Sequence, residues 1–184
     1  MAGRILLLAA LAMLAACSAP RVLYFGQDFS ALYQRRELST AAAQGPVPLV
    51  VRGNPFGGAP AEIAGPTLAA MSRSPSLQPV RLTTGDPGPR QVDYRIILAY
   101  GQPFVGAGGL CAAPDAPIAA EPTLSATAAF CIGDKLLSTA RGRSLDPVRG
   151  PDDPAFAAFL ASLVDVLLPP TNPRLFGCGP RPGC

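Results

Sequence analysis

The sequence predicts an α+β domain, a mostly antiparallel sheet of about five strands with two helices packed on one face. Three observations carry that prediction. Residues 92–100 alternate strictly, with Val92, Tyr94, Ile96, Leu98 and Tyr100 on one face and Asp93, Arg95, Ile97 and Ala99 on the other. Residues 124–132 repeat the pattern, and Gly133-Asp134 supplies a two-residue hairpin turn into a further strand, Lys135 to about Arg143. Finally, Phe156, Phe159, Leu160, Leu163, Val164 and Leu167 make one apolar stripe behind Asp153 and Pro154, an N-cap followed by a first-turn proline.

The domain is expected to span residues 46–170. Val47, Leu49 and Val51 alternate with Pro48, Val50 and Arg52, a strand in which Pro48 points to an edge position or a strand start. The loop Gly53-Asn54-Pro55-Phe56-Gly57-Gly58 follows. Residues 60–72 read as a helix with Ile63, Leu68 and Met71 on its buried side, kinked or delayed by Gly65-Pro66. Val80, Leu82 and Thr84 mark a second strand, and Gly85-Asp86-Pro87-Gly88-Pro89 is dense turn chemistry. The 92–100 strand pairs with it, hairpin-like, as the 124–132 strand pairs with its successor. Between these pairs runs a Gly/Ala/Pro-rich loop, residues 101–122, long enough to need a staple in a compact domain. Residues 124–132 place Leu124, Ala126, Ala128, Phe130 and Ile132 on one face and Cys131 on the other. Pro169-Pro170 ends the last helix, and residues 171–184 form a Pro/Gly-rich tail.

The N-terminus has a different character. Arg4 precedes an apolar run from Ile5 to Leu14 and then small residues, the layout of a secretory signal peptide, too short to span a bilayer with ease. Leu14-Ala15-Ala16-Cys17 stands where cleavage falls, although an ordinary signal needs no cysteine there. This tetrapeptide resembles the lipobox of bacterial lipoproteins, and the chain is similar in layout to the small lipoproteins of proteobacterial envelopes. The resemblance implies that residues 1–16 are a signal peptide removed before Cys17, that the Cys17 thiol carries a diacylglyceryl group, and that the new amine is acylated too. It also implies outer-membrane sorting in a Gram-negative host, because Ser18 stands where an aspartate marks inner-membrane retention. Each buried methylene contributes roughly 0.8 kcal/mol, so two or three chains on Cys17 would hold the protein permanently.

Residues 17–45 then read as a lipidated tether. Within it lie Val22-Leu23-Tyr24-Phe25, a possible cap at Asp28, and Phe29, Leu32 and Tyr33 at helical spacing, followed by Arg35 and Arg36. Such aromatics and arginines suit a headgroup region. Docking on the domain is the favoured alternative, since one helical turn is little to hold an interfacial helix.

Composition narrows the function. The chain has 15 basic and 12 acidic residues, and removing Arg4 leaves 14 against 12, too weak an excess to favour nucleic acid. Histidine is absent, which removes the commonest general base and metal ligand together. Besides Cys17 there are Cys111, Cys131, Cys178 and Cys184, an even number that reads as disulfides in an exported chain. These four cysteines allow three pairings, of which proximity favours Cys111–Cys131 with Cys178–Cys184. No Cys-x-x-Cys pair occurs, so neither thioredoxin-like redox chemistry nor a zinc site is expected.

No catalytic set emerges. Ser72, Ser74 and Ser76 lie in a loop without a histidine partner, and Lys135 is the only lysine, beside a turn. Asp152 and Asp153 suit a helix start better than a cation. Asp115 and Glu121 are not readable as a pair. Arg52 to Gly58 is the one segment with ligand-binding character, because Arg52, Asn54 and flexible backbone amides can cradle an anion. Ordinary strand-to-helix turn chemistry explains the same residues. The expected function is therefore a non-enzymatic, outer-membrane-anchored periplasmic lipoprotein without cofactor, an interaction or assembly accessory to another envelope protein. The alternatives are a small-ligand or anion-binding lipoprotein using Arg52 and Asn54, and an enzyme of unrecognised type.

Overall fold

A computed structural model gives the structure of the protein and describes residues 21–176. Among the described residues, six strands form one mixed sheet: β1 (Val22–Phe29), β2 (Val47–Arg52), β3 (Leu82–Thr83), β4 (Tyr94–Tyr100), β7 (Ser125–Ile132) and β8 (Lys135–Ser144), in the order β1-β8-β7-β4-β2-β3. Two short strands, β5 (Gln102–Pro103) and β6 (Ile118–Ala119), pair separately. The helices are α1 (Arg35–Ala43), α2 (Pro60–Met71), α3 (Gly106–Gly109), α4 (Pro154–Leu167) and α5 (Pro173–Phe176). The α+β class holds, with a larger sheet than expected.

The 7-residue alternation of β4 and the hairpin of β7 and β8 follow the sequence closely. Tyr94, Ile96, Leu98, Leu124, Ala126, Ala128 and Phe130 join the main core, while Ile97, Ala99, Ala129 and Cys131 face the other way. Gly133, at φ +53°, makes the turn between Ile132 and Lys135, a left-handed conformation that glycine adopts without penalty. On the core face lie α2 and α4. Asp153 accepts from the Ala155 N–H at 3.0 Å, Pro154 opens α4, and the whole predicted stripe from Phe156 to Leu167 is buried.

Two expectations need correction. The 80–84 strand was to pair with 92–100 as a hairpin, but β3 is only two residues long and does not touch β4 as a neighbour. Both lie parallel to β2, on opposite sides of it. The physical reason is α2, a helical crossover that returns the chain in the same direction and buries the apolar run of β2 between two strands. Pro48 consequently sits one strand in from the edge, tolerated near the start of β2. Helix α2 begins at Pro60 and continues past Pro66, burying Ile63, Thr67, Ala70 and Met71, whereas Leu68 is only half-buried.

The second correction concerns residues 17–45, of which 17–20 lie outside the described residues. From Val22 onward this segment is structure and not tether. Strand β1 pairs antiparallel with β8 over Val22↔Ser144 to Phe29↔Ser138, with an irregularity between Tyr24 and Gly26. Helix α1 buries Leu38 and Ala41 in the core as a third helix on that face, beside Phe29 and Tyr33. Arg35 donates to the Leu168 carbonyl at 3.0 Å and to the Ser76 carbonyl at 2.5 Å, so the docking alternative describes this arginine. Its guanidinium meets one of the carbonyls that the end of α4 leaves without helical partners.

The long loop 101–122 covers the opposite face of the sheet. Leu110 and Cys111 pack there against Ile97, Ala99, Ala129 and Cys131, with Ile118 and Leu136 at the margin. A disulfide joins Cys111 to Cys131, one of the two pairings that proximity favoured. Cys178 and Cys184 lie outside the described residues, as does Cys17. At Gly101, φ is +98° and a Cβ would overlap the Ala119 carbonyl oxygen, so only glycine lets the loop leave β4 so tightly.

Candidate functional site

Arg52 ends β2 and Asn54 opens the following loop, so the segment nominated from sequence does leave a strand and lead into α2. Its groups point inward. Arg52 Nη1 donates to the Pro114 carbonyl at 2.6 Å and to the Asp115 carboxylate, and Nη2 donates to the Asp115 carbonyl at 3.2 Å. Asn54 accepts from the Phe56 N–H at 3.0 Å, closing an Asx turn, and its Nδ2 reaches the Ala59 carbonyl at 3.4 Å. Phe56 packs against Phe156 with the rings tilted by 56° and their centroids 5.7 Å apart, which seats the loop on α4. A Cβ at Gly58 would overlap Glu62 Oε2, so a carboxylate already stands against this backbone. An anion would meet that negative charge and an arginine committed elsewhere. The geometry makes Arg52 a strut between β2 and the back-face loop.

The other sequence-noted groups are similarly occupied. Ser74 donates to Asp165 at 2.6 Å while accepting from the Ser76 N–H at 3.1 Å. Glu121 pairs with Arg141, so it and Asp115 serve separate arginines. Asp153 caps α4, and its pKa is lowered by the N–H groups of Ala155 and Arg149. Lys135 is exposed beside the hairpin turn. Among the described residues, no three of His, Cys, Asp and Glu converge as a metal site would require.

The front-face tyrosines are locked into hydrogen bonds. Tyr100 and Thr67 share one at 2.6 Å, and burial pushes the Tyr100 hydroxyl upward. Tyr94 donates to Glu37 at 2.6 Å, and burial together with that carboxylate raises it to about 12. Burial likewise raises Tyr33 to about 12, against the pull of Arg35.

A different place has the form of a binding site, and sequence reasoning missed it. Between the sheet and the back-face loop lies a cleft of about 240 Å³, open toward β1. Its floor is Thr127 of β7 with Thr139 and Arg141 of β8, its roof Gln102, Pro103, Gly106 and Ala107, and its mouth Gly26, Gln27 and Asp28. Arg141 donates to Gln102 at 3.2 Å and pairs with Glu121. Thr139 donates to the Ala128 carbonyl at 2.9 Å, but the fully buried Thr127 hydroxyl has no partner. A hydroxyl held dry and unanswered costs free energy, so Thr127 is a polar position that the fold keeps at a cost beside the cleft. The sequence held one weak signal for it, Thr127 within the largely apolar run of β7, whereas β8 carries Ser138, Arg143 and Ser144 besides Thr139 and Arg141. The convergence of Thr127, Thr139 and Arg141 depends on the β7/β8 register, Thr127↔Arg141.

No family model, curated protein or solved structure matches the chain. No helix among the described residues is long and apolar enough to cross a membrane.

Proposed function

We propose that the chain is a lipoprotein, anchored through acylated Cys17 to the periplasmic face of the outer membrane, where it acts as an interaction or assembly accessory of the cell envelope. It performs no catalysis of its own. The observation that carries this reading is Leu14-Ala15-Ala16-Cys17, an intact lipobox after a short apolar run, only four residues ahead of Arg21. A disulfide between Cys111 and Cys131 suits an oxidising compartment. Labelling with an acyl-chain analogue tests the anchor: the wild type takes the tag, and Cys17→Ser loses both tag and membrane fractionation. A tagged Cys17→Ser protein refutes it. Recovery only in inner-membrane fractions refutes the reading of Ser18, and crosslinking that captures no stoichiometric envelope protein refutes the accessory role.

A second reading, small-ligand binding, is favoured by the unpartnered Thr127 hydroxyl in the back-face cleft. A thermal-shift screen of small polar molecules tests it. Stabilisation by one of them that disappears in Thr127→Val supports this reading.

A further inference from the structure

Where β1 begins decides how far from a bilayer the domain can stand. A tether of residues 17–45 would let it roam on the order of 100 Å from its lipid. Instead, the Arg21 backbone N–H and guanidinium both donate to Asp146, at 2.8 to 3.0 Å, and the Leu145 N–H donates to the Arg21 carbonyl at 2.9 Å. The chain is therefore fixed to the sheet at residue 21. Arg21 is four positions from Cys17, a fully extended reach of about 14 Å.

The end of the sheet at this fixed point is set by topology. Strand β1 starts there, β8 ends there and β7 starts there, because Val22 faces Ser144 and Ser125 faces Arg143. Leu23 and Leu145, both large apolar residues, are 40% and 48% exposed at this end. Leu23 is the cross-strand partner of Arg143, which is exposed, and the Arg21 side chain is 73% exposed. Exposed Pro122 and Thr123 lie between them, lining grooves shared with Leu23 and Arg143 on one side and Leu145 on the other. Asp146 and Glu121, which also line these grooves, are paired with Arg21 and Arg141, so exposed Leu23 and Leu145 beside Arg143 are what match an interface of acyl carbons beneath phosphate groups. The opposite end, at Gly133-Asp134 and Lys135, lies a full strand away, roughly 30 Å for β8.

We propose that this end of the domain is its membrane seat, with Leu23 and Leu145 entering the headgroup layer and Arg143 meeting lipid phosphates, while the Arg21–Asp146 pair holds the chain at the same end. The inference rests on the lipid anchor at Cys17. It makes the protein a cap lying on the bilayer, with the hairpin turn, the Asp86–Arg90 turn and the end of α4 directed away from the lipid.

The sequence contains no tryptophan, so a single introduced one reports its own location. The acylated full chain carrying Leu145→Trp, or Lys135→Trp as the distal reporter, is reconstituted into vesicles of phosphatidylethanolamine and phosphatidylglycerol. Nitroxide lipids labelled at headgroup level are then added. The seat is supported if Leu145→Trp emission shifts to shorter wavelength and loses most of its intensity, with Lys135→Trp unaffected. Adding Arg143→Glu to Leu145→Trp should reverse much of that quenching while the melting temperature stays put. Vesicles that float with the protein but leave Leu145→Trp unquenched overturn the seat and leave the anchor standing. Equal or stronger quenching of Lys135→Trp overturns the orientation. A wild-type chain that fails to float overturns the anchor, and the seat with it.

Discussion

The Tyr33 hydroxyl donates to the Pro169 carbonyl at 2.7 Å, joining the start of the chain to the end of α4 across 136 residues. Asn172 closes the same junction, donating to the carbonyls of Ser30 and Tyr33 at 2.9 and 3.1 Å. The turn that follows α4 is therefore tied down by a segment that the sequence presented as a linker. The N-terminal residues are part of the stability of the domain.

Removing that hydroxyl tests the point. Tyr33→Phe keeps the buried ring and should cost about 1 kcal/mol at neutral pH. It should also flatten the alkaline end of the stability profile. In the folded protein Tyr33 stays protonated to about 12, while in the unfolded chain it ionises near the ordinary value of 10. Between those values the unfolded state holds fewer protons, so stability is complete below the lower pKa and falls as pH rises through the window. Urea midpoints measured across it should drop less steeply for Tyr33→Phe than for wild type. Identical slopes would show that Tyr33 is not linked to folding.

The disulfide closes a loop with a sequence separation of 20. Its loss in Cys111→Ser/Cys131→Ser should cost about 3 kcal/mol, read as a melting temperature lower by roughly 6–12 °C for a chain of this size. Amide exchange should quicken first in residues 101–122, whose packing on the sheet depends on Leu110 and Cys111. A melt unchanged under reducing conditions would mean that the loop holds without its staple.

Arg52→Ala separates a strut from a ligand site. Losing hydrogen bonds from a charged group to Pro114 and Asp115 should cost roughly 1.5–3 kcal/mol. Limited proteolysis should then cut near residues 112–116. A variant as stable and as protease-resistant as wild type would show that Arg52 does not brace this loop.

Truncating Leu163, 1% exposed in the middle of α4, should cost on the order of 2–5 kcal/mol. A chemical-denaturation midpoint equal to that of wild type would show that α4 is not central to the core.

Thr127→Val replaces an unpartnered buried hydroxyl with a methyl of the same shape. In the empty protein it should be neutral or stabilising by about 1 kcal/mol, because nothing answers the hydroxyl that is removed. A clear loss of stability would mean that a water or a bound molecule is already satisfying Thr127, and titration calorimetry on both proteins would distinguish those two.

Local pattern by itself determined β4, the β7–β8 hairpin, the cap and stripe of α4, and which face carries Cys131. In each of these the alternation, the turn residues or the cap lie within a dozen positions of one another, so short-range sterics and burial specify them together. The Leu14-Ala15-Ala16-Cys17 string is legible for the same reason, because it is contiguous. Only the tertiary structure decided that Val22–Phe29 is an edge strand, that β2 lies between two parallel neighbours, and that Arg52 braces the back-face loop where an anion was the alternative. It also assembled the Thr127–Arg141 cleft. These features depend on partners 14 to 122 residues distant, from Thr127 and Arg141 to Val22 and Ser144. A side chain such as Arg52 offers the same five donors to a carbonyl, a carboxylate or an anion, and only the fold determines which of them lies within reach.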